Sequence, residues 1–139
     1  MPAGYSGTPL IKKLGITPTM KVMLINPPAD YFDWLQTDIR PQLVRQLADE
    51  APQFVHAFVT STTTFISIFK TLIPVYKANP TVIIWISWYK KSADIPTDVT
   101  EDTIRQYALQ HDLVDVKVCA VSEQWSGLKL VVRKERRSS

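Results

Sequence analysis

The sequence predicts an α/β domain: an open, mostly parallel sheet of five or six strands with flanking helices, closed by a C-terminal antiparallel hairpin. Three observations predict it. Two apolar runs of strand length, Phe54 to Val59 and Val82 to Ile86, enclose a segment from Phe65 to Ala78 with Phe65, Phe69, Leu72, Ile73 and Tyr76 at helical spacing. Such a βαβ unit implies parallel strands joined by a right-handed crossover. Further on the period changes to two: Val114, Val116, Val118 and Ala120 alternate with Asp115, Lys117 and Cys119, and Leu128, Leu130 and Val132 alternate with Lys129 and Arg133. Finally, the chain has no glycine between Gly15 and Gly127, so the frame of a nucleotide-binding domain is present without the glycine loops that bring backbone close to a phosphate.

In chain order, Thr8 as N-cap, Pro9 at the first helical position and Gly15 behind Leu14 delimit a short helix from Pro9 to Leu14. Met20 to Ile25 reads as a strand buried on both faces, because Val22 to Ile25 is continuously apolar, and Asn26, Pro27 and Pro28 end it. Between Asp30 and Pro52, Tyr31, Trp34 and Leu35 suggest a helix and Gln42 to Leu47 reads as a short strand or a helix. Pro74 should kink or restart the helix between the two central strands. Thr100, with Glu101 and Asp102 in the following turn, caps a helix to about His111 that has Ile104, Tyr107, Ala108 and His111 on one face. Ser126 and Gly127 have turn chemistry and are expected to connect the two strands of the hairpin.

A chain of 139 residues fits a single domain, 1–139, large enough to need no staple. One cysteine, Cys119, excludes an internal disulfide framework and suits a reducing compartment. The longest apolar run, Val82 to Trp88, is far short of the ~20 residues of a membrane span, and the first residues lack a signal-peptide pattern. These features suggest a cytoplasmic protein with no membrane partner. The net charge of +3 comes from a basic tail beginning near Arg133; without that tail's four basic residues and one acid, twelve of each sign remain. A neutral body argues against nucleic-acid binding by the fold, and the tail reads as a solvated, frayed terminus.

The order strand, helix, strand, helix, strand, helix, hairpin, with Lys13-Leu14-Gly15-Ile16-Thr17-Pro18-Thr19-Met20-Lys21-Val22 leading into the first strand, resembles a shortened class I S-adenosylmethionine-dependent methyltransferase. That resemblance implies a Rossmann-like sheet. Where those enzymes have an acidic, glycine-rich cofactor loop, this chain has Asn26-Pro27-Pro28-Ala29-Asp30, so no cofactor is expected. Over nearly its full length the chain also resembles an uncharacterised bacterial family, a domain of unknown function. The resemblance is carried by Gly4-Tyr5-Ser6-Gly7-Thr8-Pro9-Leu10, Phe58-Val59-Thr60-Ser61, Trp88-Tyr89-Lys90-Lys91, Pro96-Thr97-Asp98-Val99-Thr100-Glu101-Asp102 and the segment from Asp115 through Trp125-Ser126-Gly127-Leu128-Lys129. It implies kinship and no activity.

Candidate site residues group at the carboxyl ends of the strands, where open parallel sheets receive ligands. Asn26 closes the first strand, and Asn26-Pro27-Pro28 has the first three residues of a motif of amino-methylating enzymes but not its aromatic fourth. Thr60 and Ser61 open a hydroxyl-rich helix start that could hold an anion or simply cap the helix. Trp88, Tyr89, Lys90 and Lys91 offer two rings and two ammonium groups for a base or phosphate, against a plainer reading in which Trp88 covers the core, both lysines are solvated and Asp98 caps the next helix. Asp98 and Trp125 complete the set. There is no catalytic elbow and no metal-ligand spacing, His56 lies inside a buried strand as a core histidine, and His111 ends a helix. The expectation is a non-catalytic binding or interaction module on a degenerate methyltransferase-like fold, its partner a small anionic ligand or a protein. Two alternatives stand beside it: a small enzyme or sensor taking a nucleotide or other anion at the strand ends, and nucleic-acid binding through the tail.

Overall fold

The computed structural model describes residues 8–44 and 51–137. Its elements are α1 (Leu10–Leu14), β1 (Val22–Ile25), α2 (Tyr31–Leu35), β2 (Phe54–Phe58), α3 (Thr62–Ala78), β3 (Ile83–Tyr89), α4 (Glu101–Leu109), β4 (Leu113–Ala120), β5 (Trp125–Val132) and α5 (Lys134–Arg137). The five strands form one sheet in the order β1-β2-β3-β5-β4. β1, β2 and β3 are parallel, and β5 runs antiparallel between β3 and β4. Leu43 bridges Val22 in parallel on the side of β1 away from β2, so chain order reverses at β1.

Each face of the sheet buries its own apolar cluster. On one side Phe65, Phe69, Leu72 and Tyr76 of α3 and Ile104 and Ala108 of α4 pack on Val55, Ala57, Ile84, Ile86, Leu128 and Leu130. On the other, Leu10 and Leu14 of α1 and Tyr31 and Leu35 of α2 pack on Phe54, Phe58, Trp85 and Trp125. Covering both faces is what allows β2 to be wholly buried, Phe54 through Phe58. The α/β architecture, the parallel core and the closing hairpin are therefore as the sequence predicts.

Several local expectations do not hold, each for a physical reason. Pro9 is the N-cap residue of α1 and makes no side-chain cap bond, although Gly15 ends the helix at φ 86 as predicted. α3 continues through Pro74 to Ala78 as one helix, so it does not restart there. β3 runs on through Trp88 and Tyr89, because both pair with β5, opposite Ser126 and Trp125. Ser126 and Gly127 consequently lie inside β5 and not in a turn. Gly127 is required there by crowding: a Cβ would stand 3.0 Å from Val121 Cγ2 and 3.1 Å from Trp85 Cε3. β1 is buried on both faces only at Val22.

β4 breaks its predicted alternation. Its pairing with β5 shifts between Asp115 and Lys117, a bulge that leaves Val116 without an opposite residue. Asp115 then meets Arg105 of α4, while Val116 and Val118 stand 56% and 46% exposed. The segment after α2 contributes a 3-10 turn at Arg40–Gln42 and the bridge at Leu43, and the rest of the expected strand, from Arg45 on, lies outside the described residues. The basic tail is not frayed through Arg137. Arg133 donates to the His111 carbonyl at 2.6 Å, Arg136 lies 3.8 Å from Asp112, and Arg137 Nε donates to the Val132 carbonyl at 2.8 Å.

Candidate functional site

The carboxyl ends of β1, β2 and β3 share one edge of the sheet, and the parallel register brings their following loops together. At the end of β1, Asn26 takes a left-handed conformation, φ 55, that asparagine tolerates better than most side chains. Pro27 and Pro28 follow, neither with an N–H to offer a ligand. At the end of β2, Ser61 caps α3 by accepting from the Thr64 N–H at 3.1 Å.

The adjacent free donor of α3 is already occupied. Asp98 Oδ1 accepts from the Thr62 N–H at 2.8 Å, and Thr97 Oγ1 donates to the Thr60 carbonyl at 2.9 Å. Asp98 thus caps α3 and not α4, contrary to the plainer sequence reading. α4 has its own reciprocal cap, with Thr100 Oγ1 accepting from the Thr103 N–H at 3.2 Å. The helix start where a mobile anion would be stabilised holds the protein's own carboxylate.

The two tryptophans of the candidate set go into opposite clusters. Trp88, 7% exposed, belongs to the cluster under α3 and α4. Trp125, 6% exposed, packs edge-on against Phe58 at 4.9 Å and over Tyr89 at 4.1 Å on the other side. Lys90, Lys91 and the rim of Trp88 line an open cleft of about 550 Å³, whose other wall includes Thr100, Glu101 and Asp102 of α4. Both carboxylates of that wall pair with Arg105. Asn26, Thr60, Ser61, Asp98 and Trp125 lie outside that lining. A second cleft of about 430 Å³, between α2 and the β4–β5 turn, is acidic: Asp30, Asp33 and Glu123 surround Trp34 and Ser122. Sequence reasoning missed it, because its residues lie some ninety positions apart and no local pattern links them.

Beneath this edge lies a polar chain that the sequence showed only as a histidine in an apolar strand. Tyr31 Oη stands 2.8 Å from His56 Nδ1, and His56 Nε2 stands 2.7 Å from Ser87 Oγ. All three residues are 0% exposed. Burial holds the imidazole well below its usual range, at about 3, and pushes the Tyr31 phenol far above its own. The arrangement has the order of a serine–histidine relay but no access for a substrate, so it is a satisfied core network, as expected of His56. The clue in the sequence was Ser87, a second polar residue inside an apolar run. Among the described residues no group of three His, Cys, Asp or Glu side chains could hold a metal ion. No described helix is long and apolar enough to cross a membrane.

No protein-family profile and no curated protein matches the chain. Among solved structures it is similar to a protein of the NADB-Rossmann superfamily from Streptococcus agalactiae, with TM-score 0.56 and 7% identity over 94% of this chain and 70% of that one. It is also similar to an uncharacterised protein from Listeria monocytogenes serotype 4b, with TM-score 0.55 and 10% identity over 93% and 69%. At such identities the likeness concerns the fold alone. The chain has a Rossmann-like fold, as its strand order and these neighbours agree.

Proposed function

We propose that this chain is a non-catalytic binding module on a degenerate methyltransferase-like frame, related to the uncharacterised bacterial family it resembles. The observation that carries the reading is the Asp98 carboxylate seated on the N-terminus of α3, which fills from within the position an anionic ligand would take. The loop after β1 supports it. S-adenosylmethionine needs backbone donors and close approach there, and Asn26-Pro27-Pro28-Ala29 supplies two prolines and no glycine, so the cofactor does not fit this loop.

Thermal unfolding in the presence of S-adenosylmethionine, nucleotides or inorganic phosphate tests the reading, with an unchanged Tm expected for each. A ligand present at a hundred times its Kd would add about 2.7 kcal/mol, worth roughly 8 °C in a domain of this size. A rise of that order with any of them overturns the reading. One observation favours a second: Trp88, Lys90 and Lys91 meet at a real cleft. If a small anion binds, it binds there, and Lys90→Ala removes the Tm rise without lowering the Tm of the free protein.

A further inference from the structure

The twelve-to-twelve charge balance of the body conceals a segregation visible only in the fold. On the α1 side of the sheet, three rows run across the hairpin: Trp85, Lys129 and Lys117; Ser87, Gly127 and Cys119; Tyr89 and Trp125. The bulge at Val116 creates the first row. Continuous pairing from Asp115 opposite Leu130 would set Val116 against Lys129, whereas the bulge sets Lys117 there. Two ammonium groups directly opposite one another destabilise a strand pair, and bulges recur where a side chain is re-aimed for function.

More positive charge gathers on the same patch. Lys117 Nζ donates to the Lys13 carbonyl at 3.3 Å, which brings it to the end of α1. Burial raises the Cys119 thiol, and the ammonium groups of Lys13, Lys117 and Lys90 are all near enough to pull it back. Among the described residues no carboxylate pairs with Lys117 or Lys129. Asp115 faces away, held by Arg105 on the α4 side. An edge lysine protects a sheet from stray pairing, which accounts for Lys117. It does not account for Lys129, on the interior strand β5.

We propose that this lysine face binds single-stranded nucleic acid, phosphates on Lys117 and Lys129 and a base on the partly exposed ring of Tyr89. The inference deepens the binding-module reading and names its partner. The occupant follows from the chemistry: ammonium groups bind phosphate as point charges, and the Tyr89 ring, backed by Trp125 at 4.1 Å, lies on the same face where a base can stack. Exposed Lys117 and partly exposed Lys129, Cys119 and Tyr89 mark a path for an extended chain beside the buried Trp85, Ser87 and Gly127, while a duplex needs an element that enters a groove. A second copy of this chain is a poor occupant, because the bulge puts Asp115 and Lys117 on opposite faces and they cannot pair reciprocally across a two-fold axis.

Fluorescence anisotropy with labelled oligo-rU and oligo-dT tests the proposal on the full chain, using K117Q/K129Q, Y89A and, as a control at the other end of the sheet, R136S/R137S. The parent should bind with a salt-dependent affinity. The lysine variant should bind at least about tenfold more weakly and lose about 1.4 from the magnitude of its salt slope, at ~0.7 per phosphate contact in a single strand. The control should bind like the parent. Removing both like charges of an opposed pair should leave Tm unchanged or slightly higher, so folding does not confound the result. No binding by the parent, full binding by K117Q/K129Q, loss confined to the control, or equal competition by polyglutamate would each overturn the proposal. None of these bears on the strand-end reading, which the thermal screen decides separately.

Discussion

The buried imidazole of His56 makes a quantitative prediction about acid. In the folded protein its pKa is lowered to about 3 by burial, while in the unfolded chain it returns to about 6.5. Below pH 6.5 the unfolded chain takes up a proton that the folded protein refuses, so protonation favours unfolding. The stability due to the neutral histidine is complete above pH 6.5 and is lost as pH falls from 6.5 toward 3. The slope through that window is about 1.4 kcal/mol per pH unit, hence a loss of roughly 2 kcal/mol on moving from pH 7 to pH 5.

The structure supplies the reason that the proton is refused. His56 is 0% exposed, so an imidazolium there would lose its hydration with no carboxylate at either ring nitrogen, whose partners are the Tyr31 and Ser87 hydroxyls at 2.8 and 2.7 Å. Urea denaturation at several pH values between 7 and 5, with m held common, measures the loss as a fall in midpoint of about 1 M for an m near 2 kcal/mol/M. His56→Gln should flatten the dependence. A parent whose midpoint does not move between pH 7 and 5, or an imidazolium NMR signature of His56 at pH 5 in the folded state, would show that the network admits a proton and that the argument from burial is wrong.

Two substitutions check other parts of the fold. Gly127→Ala should cost about 1–3 kcal/mol in urea denaturation, because its methyl would meet Val121 and the Trp85 ring. That ring is fixed by its Nε1–H donating to the Leu14 carbonyl at 2.9 Å and has little room to yield. Asp98→Ala should cost about 0.5–2 kcal/mol, the range for a lost helix cap. It should also speed amide hydrogen exchange at Thr62; unchanged protection there would mean that the carboxylate does not cap α3 in solution.

What was legible in the sequence is what depends on neighbours in the chain. Apolar runs of strand length around a 3.6-period segment define β2, α3 and β3, and Thr100 with its acidic first turn places α4, because hydrogen bonding within a helix and burial of one face are local consequences of spacing. The reading of His56 as a core residue came from the same source. Tertiary structure alone decided the rest. Asp98 caps a helix thirty-six positions away, β3 gains Trp88 and Tyr89 because β5 pairs with them, and Gly127 sits in a strand because Trp85 and Val121 crowd it. The bulge at Val116 reverses which β4 side chains share a face, a one-residue slip that period-two reasoning cannot detect. Charge behaves in the same way: composition sums it to neutrality, whereas pairing across strands sets Lys117 against Lys129 and sends Asp115 to the opposite face, since electrostatics depends on distance in space and not along the chain.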